Sequence, residues 1–131
     1  MNKSTLFSFF LMIFGSASLA NDAVPRGEKI FKKCTSCHAI IAPNGDILRR
    51  GGRAGPNLYG VMGRPAADTQ FRYSKALKTA GAAGLIWSPK TLTGFVKDPS
   101  DYLKAHSGNK KARSKMSYRL KKGAADVAAY L

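Results

Sequence analysis

The sequence predicts an all-α domain over residues 21–131, with about five short helices joined by long loops. Three observations point that way. Apolar residues recur at helical spacing in several short segments. No segment reads convincingly as a strand. Residues 42–63 carry Gly45, Gly51, Gly52, Gly55, Gly60 and Gly63 with Pro43 and Pro56, too many breakers for a regular element. A loop of that length is uncommon inside a compact domain unless it wraps something.

The chain opens with Lys3, an apolar run from Leu6 to Phe14, and small residues ending in Ser18-Leu19-Ala20. This reads as a secretory signal over residues 1–20, cleaved after Ala20. The apolar run is shorter than the roughly 20 residues that a membrane-spanning helix needs; an uncleaved anchor is the competing reading. Residues 21–131 are enough chain for one domain and no second module.

From Pro25 to Lys33, Ile30 and Phe31 sit among charged residues, as in a short amphipathic helix with proline near its first turn. Residues 74–83 predict a second helix, with Gly81 and Gly84 bracketing its end. Ser88-Pro89 reads as an N-cap followed by proline at the first helical position, with Leu92, Phe95 and Val96 as the buried face. Asp98-Pro99 is expected to stop that helix, and residues 100–106 to add another turn or two. Residues 107–122 are polar and basic around one methionine, Met116. Residues 124–131 close the chain as a helix with Val127, Tyr130 and Leu131 at helical spacing.

The chain's only two cysteines fall in Cys34-Thr35-Ser36-Cys37-His38. Two intervening residues place the thiols about one helical turn apart, where they can add to the two vinyl groups of a haem, and the following histidine presents an imidazole to the iron. Two other readings share the motif. One is a dithiol or disulfide site, although the βαβ pattern that usually surrounds one is absent. The other is zinc, which needs about four ligands where only His106 is a further strong candidate.

An iron that carries electrons without binding oxygen needs a sixth ligand. Met62, Met116, His106 and several lysines are candidates. Met62 sits among apolar residues, where methionine is ordinary core filling. His106 follows a helix and reads as solvated. Met116 lies alone in Ser114-Lys115-Met116-Ser117, with little packing reason to be there, which favours it. Five short helices make a thin core, and a haem would supply the missing apolar body.

The formal charge is +15, from 22 basic and 7 acidic residues. Such a balance predicts an acidic partner surface. Nucleic acid is excluded as the partner by the export signal and by the lack of any recognition motif. The cations are uneven: Lys32 and Lys33 precede Cys34, while Lys110, Lys111, Arg113, Lys115, Arg119, Lys121 and Lys122 crowd one later stretch. If both stretches lie at one haem edge, they form a docking ring that includes Lys32, Lys33, Lys115, Lys121 and Lys122.

Together these residues resemble the class I cytochromes c, most closely the cytochrome c2 type of purple and related bacteria. The strings that carry the likeness are Gly27 and Phe31, Gly55-Pro56-Asn57-Leu58-Tyr59-Gly60 with Gly63-Arg64, Tyr73-Ser74, Trp87, Asp98-Pro99, Lys115-Met116 and Asp126-Val127-Ala128-Ala129-Tyr130-Leu131. The resemblance implies a small class I cytochrome c fold wrapped around one covalent haem c with its iron. It implies His38 and Met116 as axial ligands, with the carbonyl of Pro56 fixing the other His38 nitrogen. Arg64, Tyr73 and Trp87 would hydrogen-bond a buried haem propionate, and Gly27 and Phe31 would pack on Val127 and Tyr130.

It further implies a monomeric periplasmic electron carrier, not an enzyme. The partners would be acidic surfaces of membrane complexes: a bc1 complex as donor, and a photosynthetic reaction centre or terminal oxidase as acceptor. One departure stands out: the family commonly has a tyrosine where this chain has Phe95, so a hydroxyl contact to the methionine sulfur is missing. The alternative it leaves open is a haem enzyme or gas sensor of the same fold with Met116 displaced.

Overall fold

The computed structural model describes residues 22–131, so the signal-sequence reading lies outside the described residues. The first helix, α1 (Ala23–Phe31), starts and ends two residues before its expected limits. Pro25 is tolerated there because the first helical N–H groups have no partner inside the helix. After Phe31 the chain winds on in tight turns: Cys34 N donates to Phe31 O at 2.8 Å, Cys37 N to Cys34 O at 3.1 Å and His38 N to Cys34 O at 2.9 Å. The two cysteines therefore occupy one turn.

The all-α expectation holds with one correction. Strands β1 (Ile40–Ile41) and β2 (Ile47–Arg49) form an antiparallel hairpin at the start of the stretch expected to be loop. Pairs this short show too little alternation to read as strands. A turn signal is present in Pro43-Asn44-Gly45, and Gly45 N closes it onto Ala42 O at 2.9 Å. The rest of the loop runs beside the cysteine turn. Gly52 N donates to Thr35 O, Gly55 N to Cys37 O and Leu58 N to Ala39 O, at 2.8, 2.8 and 3.0 Å.

Helix α2 (Lys75–Ala82) begins where Ser74 Oγ accepts from Leu77 N. Helix α3 (Pro89–Lys97) has the expected serine cap, reinforced by Thr91 in a reciprocal capping box, and buries Leu92, Phe95 and Val96 as the spacing predicts. Helix α4 (Pro99–Ser107) is longer than expected, because the Asp98-Pro99 that ends α3 also starts α4: the Asp98 side chain accepts from Asp101 N. Helix α5 (Ala124–Tyr130) closes the domain. It crosses α1 at Gly27, where a Cβ would lie 2.8 Å from Tyr130 Cβ and closer still to the Asp126 carbonyl. Phe31, fully buried, packs on Tyr130 with ring centroids 5.4 Å apart. Among the described residues no helix is long and apolar enough to cross a membrane.

Candidate cofactor site

A cavity of about 550 Å³ opens between the cysteine turn, residues 53–58, residues 64–74, helix α3 and the loop at residues 114–118. Cys34, Cys37, His38, Pro56, Arg64, Tyr73, Trp87 and Met116 all line it. Met62 packs against the core away from the cavity, and His106 stacks on Tyr102 with centroids 6.0 Å apart. Met62 and His106 therefore lie elsewhere, while Met116 faces the space; of the candidate lysines, Lys33 and Lys115 also border it.

His38 is fixed by its backbone neighbours. A carbonyl can only accept, so Nδ1 carries the proton and donates to Pro56 O at 2.7 Å, leaving the Nε2 lone pair free. Burial pushes the imidazole below its ordinary pKa, while the bond to Pro56 acts in the other direction. The ring is held from the side by Gly55, where even a Cβ would collide with it. At Cys34, burial and the neighbouring Cys37 push the thiol up, and Lys33 opposes them.

Met116 owes its position to ties across the fold. Ser114 N donates to Ser100 Oγ on α4 at 3.1 Å, and Ser114 Oγ accepts from Met116 N at 3.0 Å. Leu120 N donates to Val96 O at 2.7 Å, and Arg119 pairs with Asp98 at 2.9 Å. Lys115 Nζ donates to Arg72 O at 2.7 Å, bracing this loop against the opposite wall. Lys115 is expected from its position in the chain to dock partners; it is exposed, and its ammonium also donates to that carbonyl. None of these ties is visible in the sequence, although Ser114-Lys115-Met116 carries the local serine-turn signal.

At the other end of the cavity Arg64 Nε is buried with no hydrogen-bond partner, 3.9 Å from Asp68 Oδ1. The Tyr73 hydroxyl bonds Thr69 Oγ1. Trp87, buried, meets the edge of Phe95 at 5.0 Å, and Phe95 meets Tyr102 at 6.0 Å. Sequence reasoning missed Asp68, Arg53 and Arg72, which also line the space.

Lys32, Lys33, Lys121 and Lys122 are exposed, and of these Lys33 borders the cavity. Five of the seven acids are paired with arginine or lysine, which leaves the surface cations in large excess.

This donor set fits a haem. A neutral imidazole nitrogen and a thioether sulfur face one apolar cavity, two thiols stand one turn apart beside it, and a buried guanidinium nitrogen awaits an acceptor such as a carboxylate. Among the described residues no three His, Cys, Asp or Glu side chains gather as zinc would require.

No family model matches the chain. Known relatives do. The chain is 45% identical over 128 residues to cytochrome c-551 of Roseobacter denitrificans, covering 97% of this chain and 92% of that protein. It is 43% identical over 121 residues to cytochrome c2 of Rhodobacter capsulatus, covering 92% and 88%. The solved structure of the Rhodobacter capsulatus cytochrome c2 superposes with a TM-score of 0.80 at 44% identity, covering 82% of this chain and 93% of that one.

Proposed function

Because the chain belongs to the class I cytochromes c, in the cytochrome c2 group, and so carries a covalent haem c with its iron, we propose that it is a periplasmic carrier of single electrons. It is exported on residues 1–20 and acts as a monomer. It takes electrons from a membrane bc1 complex and passes them to a photosynthetic reaction centre or a terminal oxidase. It is no enzyme: no substrate bond is made or broken.

The observation that supports this reading is the meeting of His38, fixed by Pro56, and Met116 on the cavity that Cys34 and Cys37 border. Cys34 and Cys37 would anchor the haem through thioethers, and His38 Nε2 and Met116 Sδ would hold its iron. When bound, the haem supplies an iron that accepts and returns one electron. The bond to Pro56 O makes the His38 ligand nitrogen more basic and holds its ring plane. The Met116 sulfur, a soft donor, favours the reduced state. Arg64, with Tyr73 and Trp87, receives the haem carboxylate that would otherwise be a costly buried charge.

Lys32, Lys33, Lys121 and Lys122 steer acidic partner surfaces, giving fast and salt-sensitive encounters. Lys115 belongs with them by position but serves mainly as a brace. A haem enzyme or gas sensor would need Met116 to leave its place; the ties from its loop to Ser100, Val96 and Arg72 favour the carrier.

The test is a visible spectrum of protein purified from a host that matures c-type haems. A Soret band that survives acid-acetone extraction, a weak ferric band near the red end, and slow carbon monoxide binding to the reduced form are expected. A colourless protein, or pigment lost to the solvent, refutes the reading.

A further inference from the structure

We propose that Asp68 sets the potential of the haem, by sharing the Arg64 guanidinium with the carboxylate that the cofactor brings into the cavity. This rests on the haem reading above.

Among the described residues, Asp68 is the one acid bordering the cavity. Its Oδ1 lies 3.9 Å from Arg64 Nε. That is too long for a hydrogen bond and near enough for charge pairing. The same Nε is buried and has no hydrogen-bond partner. Arg64 thus stands between an acid already on the wall and an acceptor still to come.

The backbone is bent to put the acid there. Ala67 has φ 61°, a left-handed conformation that non-glycine residues seldom adopt. Just before it, Ala66 N is pinned to Leu85 O at 2.7 Å. The turn between them returns Asp68 to Arg64, four residues earlier. A strained turn persists only where its surroundings hold it. The other polar side chains at this end bring no negative charge: Tyr73 and Thr69 bond each other, and Arg72 adds a positive charge.

Ferric haem carries one more positive charge than ferrous haem. An anion on the wall favours the ferric state, and Arg64 favours the ferrous state. Asp68 acts twice in one direction, through its own charge and by drawing the guanidinium away. Arg64 Nε is buried, whereas Asp68 stands exposed at the cavity's border, so solvent screens part of its charge and its pairing with Arg64 carries the rest. Asp68 therefore lowers the potential.

The experiment compares reduction potentials of the haem-loaded wild type, Asp68→Asn and Asp68→Glu at pH 8, above the ordinary carboxylate range. Asp68→Asn is expected to shift the reduction equilibrium at least twofold toward the ferrous form, and Asp68→Glu to restore most of the wild-type value. In an Arg64→Gln background the Asp68→Asn shift should shrink.

An Asp68→Asn potential that is unmoved or lower, with the haem demonstrably in place, overturns the proposal. So does a shift of equal size without Arg64. A wild-type protein without haem overturns instead the reading on which the proposal rests.

Discussion

Replacing Gly55 by alanine tests the link between the loop and the proposed iron ligand. A Cβ there would lie 2.6 Å from His38 Nδ1 and 2.8 Å from Nε2, against ordinary contact from 3.4 Å. The ring carbon Cε1 is nearer still, so something must move by about 1 Å, on the order of the gap that forfeits much of a packing contact. If the ring swings, the 2.7 Å bond to Pro56 O is lost. If the loop recoils, the 2.8 Å bond from Gly55 N to Cys37 O is lost.

Either way one hydrogen bond, worth about 1 kcal/mol, is lost. Overpacking adds about 1–3 kcal/mol. The expected destabilisation is about 2–4 kcal/mol, a fall in melting temperature of about 8–16 °C for a domain of this size. If the ring is what moves, His38 also becomes a less basic ligand and the potential rises. The assay is thermal unfolding of the haem-loaded variant, followed by circular dichroism in the far ultraviolet and at the Soret band. A melting temperature within about 3 °C of wild type would refute the argument that Gly55 is there to let the loop pass the imidazole.

Three further outcomes are expected from the same geometry. The haem-free chain should show no cooperative thermal transition, since several hundred Å² of lost burial is roughly 10 kcal/mol at about 25 cal/mol per Å², comparable to a whole domain's stability; a sharp melt of the haem-free form would contradict this. The Arg26 guanidinium holds the Asp126 carboxyl below its ordinary pKa, so the pair's contribution is full above the usual carboxylate range and is lost as pH falls through the lowered value; Asp126→Asn should therefore cost stability at pH 7 and progressively less toward pH 2, and an equal cost at both ends would refute it. Glutamine at Lys32, Lys33 or Lys121 should each slow association with an acidic redox partner about two- to threefold at low ionic strength and hardly at all near 1 M salt, as stopped-flow mixing would show.

Helix starts are legible wherever a side chain caps a backbone. Ser74 and Ser88-Pro89 declare α2 and α3, because cap chemistry is local. The same logic reads incompletely at Asp98-Pro99, where the pattern announces a stop and hides a start. A proline that cannot continue one helix is well suited to the first turn of the next, and the aspartate supplies the cap. The β1–β2 hairpin goes unseen because a strand of two or three residues carries almost no periodic signal; its pairing is set by the turn and by the loop packed beside it.

At the site, the cysteine motif and the proposed ligands can be read because each depends on its own neighbours in the chain. Met116 stands out against a polar background, while Met62 blends into an apolar one. What escapes is everything built from distant pairs: Ser114 with Ser100, Leu120 with Val96, Lys115 with Arg72, and Asp68 returned to Arg64 by a positive φ at Ala67.

Phe95 brings these two kinds of information together. The resemblance implies that its missing hydroxyl either shifts the potential or loosens the iron-sulfur bond. In the structure Phe95 is a buried apolar wall, edge-on to Trp87 and Tyr102, with no polar atom to offer the sulfur. The restraint on Met116 comes from the backbone and serine bonds of its own loop. A sulfur held from behind in this way can keep its place without a partner in front.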